Sequence, residues 1–169
     1  MTWLALFLSL GAAGLVATGH FILALSLWWL SRLADGTDGI YARELGNSTE
    51  FGGYLDIVLD MAGYSVMVLG FYVYFPDLVL LWLLMLFLYI ICIASALALG
   101  QGEAALGKEA RDNRNLRLGA GLAEAGETGI AYTLFLLFPK IIGFLGAIWV
   151  CVLFVTVVAR TVLASRVLR

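Results

Sequence analysis

Hydrophobic residues gather in six runs along the chain, at about 3–18, 20–34, 53–75, 78–99, 119–138 and 141–163. Each run suits a helix long enough, or nearly so, to cross a hydrocarbon core, which takes roughly 20 residues. The helices around the polar stretch after the second run extend into it. This gives expected spans at about 3–18, 20–46, 51–75, 78–99, 119–138 and 141–163. Gly19-His20 is the available break between the first two runs. Phe75-Pro76-Asp77 and Phe138-Pro139-Lys140 mark the third-to-fourth and fifth-to-sixth connections, because proline after an apolar run signals a turn between antiparallel helices. No internal repeat or low-complexity tract interrupts the pattern, and residues 1–169 read as one domain.

Composition strengthens this reading. Of 169 residues, 63% are hydrophobic and 13% charged, and only two are proline; mean hydropathy is +1.00. A soluble domain is rarely so apolar, and the expected fold class is an all-α integral membrane protein of six transmembrane helices. The first 20 residues lack the basic flank of a secretory signal, so the first run is expected to be a retained span. Cys92 and Cys151 lie inside apolar runs without a second Cys or a His at ligand spacing, and both are expected to be small buried core residues.

Charge sets orientation. With six spans, Arg32, Arg43, Lys108, Arg111, Arg114, Arg117, Arg160, Arg166 and Arg169 all fall on one side, leaving Lys140 opposite. The positive-inside rule makes that side cytoplasmic, with both termini there. The net charge of -2 and the absence of a continuous basic stripe argue against nucleic-acid binding. Asn47-Ser48-Thr49 fits a glycosylation pattern, but its cytoplasmic placement discounts it.

The chemistry concentrates between Leu33 and Asp60. Asp35 and Asp38 are three residues apart, and Asp56 and Asp60 four apart, so each pair shares a helix face. If the second and third spans pack side by side, the two faces converge. Four clustered carboxylates repel unless cations sit among them. An all-oxygen donor set suits Mg²⁺, Mn²⁺ or Ca²⁺, whereas zinc prefers His and Cys. Gly36, Gly39, Gly52 and Gly53 let a helix or ligand approach closely, and Arg43, four residues after Gly39, suits a phosphate. Charges at span ends are often merely interfacial and solvated. Asp60, however, lies eight residues into the third run, roughly 12 Å along a helix, and carboxylates at such depth are functional by default.

The residues Asp35-x2-Asp38-Gly39-x2-Ala42-Arg43-x8-Gly52-x3-Asp56-x3-Asp60 occupy every fixed position of the CDP-alcohol phosphotransferase signature, which this chain therefore resembles. The resemblance implies transfer of a substituted phosphate from a CDP-alcohol, commonly CDP-diacylglycerol, to a small hydroxyl acceptor, with release of CMP. It implies that Asp35, Asp38, Asp56 and Asp60 surround one or two Mg²⁺ or Mn²⁺ ions, with Asp60 as general base. Gly39, Ala42 and Arg43 would contact the CDP moiety. It also implies a cytoplasm-facing site beside membrane lipids and a homodimer. The first apolar run begins almost at Met1, whereas family members often carry an amphipathic segment before the first span; either this is a short variant or the true start lies upstream.

For the acceptor, Arg111, Arg114 and Arg117 recur every three residues before the fifth span, and Glu124 and Glu127 open it. The arginines suit a phosphorylated acceptor such as glycerol 3-phosphate or inositol phosphate, or equally set topology and meet anionic headgroups. The glutamates either bond acceptor hydroxyls or simply favour a helix N-terminus. A cation transporter or channel is the rival reading of the acidic cluster. A conduction path needs polar residues through both leaflets, and here the acids gather at one face.

Overall fold

The computed structural model describes residues 2–44, 49–107 and 125–168, apart from the side chains of Thr2, residues 37–44, Glu50 and Ala125. Among these residues the regular structure is all helix. It comprises α1 (Thr2–Ala17), α2 (Phe21–Glu44), α3 (Glu50–Tyr74), α4 (Val79–Ala105), α5 (Ala125–Leu137) and α6 (Ile142–Val167), with 3-10 turns at Pro76–Leu78 and Pro139–Ile141. Phe51–Tyr74, Pro76–Ala105 and Pro139–Val167 are long and apolar enough to cross a membrane, and Trp3–Ala17 is apolar but shorter.

The breaks are local chemistry. Gly19 ends α1 with φ of 80°, the left-handed conformation that glycine adopts without a Cβ penalty. Its N–H donates to Val16 O at 2.9 Å and that of His20 to Leu15 O at 2.8 Å, closing the orphan carbonyls of the last turn. A Cβ at Gly19 would lie 2.7 Å from the Tyr74 ring, so the turn also packs tightly on the end of α3. Pro76 and Pro139 each open a 3-10 turn where no N–H is needed. Trp82 Nε1, just inside α4, donates to Phe75 O at 3.0 Å and fixes the first of these corners.

Packing follows residue size. α1 lies along both α2 and α3, α4 lies along α6, and α5 bridges α2 and α6. The buried face of α1 carries Ala5, Ser9, Ala12, Ala13 and Val16, small residues whose four-residue spacing lets helices approach closely. At Gly70 of α3 an added Cβ would come 2.6 Å from Ala13 O, so α1 and α3 touch backbone to backbone there. The space between the halves is filled by rings: Phe71 packs on Trp82, Tyr132 and Phe135, with centroids 5.6–5.7 Å apart.

Two expectations about apolar and basic positions change. Cys92 is buried, but Cys151 is exposed, on an outward groove with Leu84, Phe87 and Phe154. In a lipid-facing helix the outer surface is as apolar as the core, so an apolar run does not tell inside from outside. Arg160, grouped with the orienting surface charges, is instead only 3% exposed. Its Nη1 donates to Cys92 O at 2.6 Å and to Ser95 Oγ at 3.3 Å, tying α6 to α4.

Candidate active site

α2 and α3 carry the signature residues, and the start of α3 is fixed by a cap. Thr49 Oγ1 accepts the Gly52 N–H at 3.0 Å. A Cβ at Gly52 would lie 3.1 Å from that hydroxyl, so the signature glycine makes room for the cap. Further along α3, Asp60 is half-buried and Asp56, one turn before it, is exposed.

Across from Asp60 stands Arg32 of α2. Its Nη1 donates to Asp60 Oδ1 at 2.5 Å, and the two side chains are only 11% and 18% exposed. Nη1 also reaches Tyr64 OH at 3.3 Å, and Nη2 donates to Ser31 Oγ at 3.1 Å. The guanidinium lies 4.7 Å from the centre of the Trp28 ring and 5.1 Å from that of Tyr64, distances at which a cation is attracted to the ring faces. Asp35 follows Arg32 by one turn on α2 and is half-exposed. One signature carboxylate, Asp60 of α3, is thus paired directly with a cation from α2, the helix that carries the other half of the signature.

Behind this group the helices are pinned by neutral bonds. Ser31 Oγ donates to Ala5 O at 2.7 Å and lies 2.8 Å from Ser9 Oγ, joining α2 to α1. Tyr132 OH of α5 donates to Tyr64 O at 2.9 Å, one turn beyond Asp60 on α3.

The remaining sequence candidates divide by position. Asp38, Gly39, Ala42 and Arg43 lie within α2, and their side chains fall outside the described residues. Arg111, Arg114, Arg117 and Glu124 lie outside the described residues altogether, while Glu127 is exposed in the first turn of α5. Among the described residues no three His, Cys, Asp or Glu side chains gather as a metal site. The chemistry of the donor set nevertheless fits a hard divalent cation, because the four signature acids offer carboxylate oxygens alone, and one of them, Asp60, already pairs with a cation.

Sequence reasoning counted Arg32 only toward orientation, and passed over Tyr64 and the Ser9–Ser31 pair. The signal available for Arg32 was its position three residues before Asp35, on the same helix face. Its partnership with Asp60 had none, since the two are 28 residues apart on different helices.

A family model for CDP-alcohol phosphatidyltransferase matches residues 1–162, nearly the whole chain. The chain belongs to the CDP-alcohol phosphatidyltransferase family. It is also similar to inner membrane protein YnjF of Escherichia coli K12, at 30% identity over 127 residues. That match covers 73% of this chain and 61% of the relative, so the chain spans about three fifths of the relative's length. With its long apolar helices, this member of the CDP-alcohol phosphatidyltransferase family is an integral membrane protein. The family match covers all eight fixed positions of the signature, from Asp35 to Asp60.

Proposed function

We propose that this protein transfers a phosphatidyl group from a CDP-alcohol, CDP-diacylglycerol above all, to a small hydroxyl acceptor, releasing CMP. The observation that carries the reading is the complete family signature on α2 and α3, with its last carboxylate, Asp60, half-buried in an ion pair to Arg32.

In this reading Asp35, Asp38, Asp56 and Asp60 hold one or two Mg²⁺ or Mn²⁺ ions, which supply charge neutralisation for the pyrophosphate and for the departing CMP. Gly39, Ala42 and Arg43 bind the cytidine diphosphate, with the arginine fork on a phosphate. Asp60 takes the proton of the acceptor hydroxyl. The acceptor oxygen then forms a bond to the lipid-bearing phosphorus, the bond from that phosphorus to the bridging oxygen breaks, and CMP leaves with the electron pair. The partial burial of Asp60 suits this role, because a base withdrawn from bulk water is not competed for by solvent. Arg111, Arg114 and Arg117, with Glu124 and Glu127, form the acceptor side, suited to glycerol 3-phosphate or an inositol phosphate. Six spans, both termini and the site on the cytoplasmic side, and a homodimer complete the proposal.

The test is CMP release from CDP-diacylglycerol by the purified protein with Mg²⁺ or Mn²⁺ across a panel of acceptors. Acceptor-dependent release that stops with a chelator and falls at least about a hundredfold in Asp60→Asn, the scale of a lost general base, supports the reading. Release that survives Asp60→Asn removes Asp60 from the chemistry, and no release with any acceptor or CDP-alcohol overturns the transferase assignment.

A further inference from the structure

We infer that Arg32, which lies outside the signature, is a positioning residue: an internal counter-cation that holds Asp60 while no divalent ion is bound, and competes with that ion for the same carboxylate. The inference rests on the metal-dependent reading of the site given above.

Two features of the geometry lead to it. First, Arg32 stands where a metal-dependent site would need its cation. It engages Asp60 Oδ1 directly, and Asp35 follows it by one turn on the same helix. Without a cation, a carboxylate as withdrawn from water as that of Asp60 would be costly to bury. A hard divalent ion seeks the same oxygens, and a guanidinium left beside it repels it.

Second, the guanidinium is caged by groups other than Asp60. Trp28 and Tyr64 flank it, and Ser31 accepts from Nη2 while being anchored in turn to Ala5 and Ser9 of α1. Gly63 of α3, three residues after Asp60, leaves room for that cage: a Cβ there would stand 3.5 Å from Nη2 and 3.1 Å from Ser9 Oγ. Arg32 Nε finds no hydrogen-bond acceptor among the described residues. The side chain is thus held by ring faces and hydroxyls, and can yield Asp60 without leaving its cage.

The experiment uses the full-length protein in detergent or nanodiscs, with Mn²⁺ alone as the probe. Binding is followed by the electron paramagnetic resonance signal of free Mn²⁺, and thermal unfolding is measured in a chelator and in saturating Mn²⁺. Arg32→Gln is expected to bind Mn²⁺ roughly tenfold more tightly, the scale on which one neighbouring charge acts at a partly buried site. It is also expected to unfold at lower temperature in the chelator and to gain more from Mn²⁺ than the unaltered protein. Arg32→Lys, which keeps the charge, is expected to bind Mn²⁺ as the unaltered protein does. Equal or weaker Mn²⁺ binding by Arg32→Gln, or no Mn²⁺ binding by either protein, overturns the inference and leaves Arg32 a brace between helices.

If Arg32→Gln yields no folded protein in the chelator, the same variant prepared in saturating Mn²⁺ decides: folded protein there supports the counter-cation, and no folded protein there overturns it. Tighter Mn²⁺ binding without CMP release in any assay would sink the transferase reading while leaving the role of Arg32 standing. CMP release with unchanged Mn²⁺ affinity would do the reverse.

Discussion

Two buried donors secure α3 around Asp60, and they differ in kind. Arg32 is charged and meets a carboxylate; Tyr132 is neutral and meets the carbonyl of Tyr64 at 2.9 Å. Tyr132→Phe removes that donor and keeps the ring, whose centroid stands 5.1 Å from that of Trp28 and 5.7 Å from that of Phe71. The expected loss is about 1 kcal/mol of stability, read as a lowered thermal midpoint, with CMP release largely kept. A fall in CMP release as deep as that of Asp60→Asn would instead put Tyr132 in the chemistry. At this scale the sequence made the aspartates legible, because their three- and four-residue spacings are properties of one helix. It hid what they meet, because α2 and α3 are each packed along α1 and reach one another through side chains such as those of Arg32 and Asp60.

At the scale of elements, the turns were readable and the contacts were not. Pro76, Pro139 and Gly19 each stand at a break, since each imposes or permits a backbone conformation that an uninterrupted helix does not use. Gly19→Ala places a side chain in the left-handed conformation, at a cost of roughly 1–2 kcal/mol, and drives its Cβ against Tyr74. Gly70→Ala meets the backbone carbonyl of Ala13, which cannot swing aside as a side chain would. It is expected to cost about 1–3 kcal/mol, the range for overpacking a tight contact. Thermal unfolding of both variants checks this, and an unchanged midpoint for Gly70→Ala would mean that α1 and α3 are not in backbone contact. The glycine at position 70 lies in an apolar stretch where nothing in the sequence marks it as different from a lipid-facing residue.

For the whole molecule, the proposed six-span layout predicts which ends share a side. In a protein lacking Cys92 and Cys151, cysteines placed at Asp77 and Lys140 are expected to react with an impermeant maleimide from one face of the membrane, and one placed at Arg166 from the other. Labelling of Lys140→Cys and Arg166→Cys from the same face would break the six-span layout. Apolar composition announced the class of fold, but it did not separate core from lipid surface: Cys92 and Cys151 sit in similar runs and face opposite ways. Inside the bundle, α1 packs along α2 and α3, whereas α4 packs along α6. The helices that bear the signature and Arg32, together with α1 that packs along both, all precede Pro76 in the chain. During synthesis they leave the ribosome first, and at roughly 5–20 residues per second they have several seconds together before α6 appears. The acidic half of the site can thus be assembled, with its own internal cation, while the remainder of the protein is still being made.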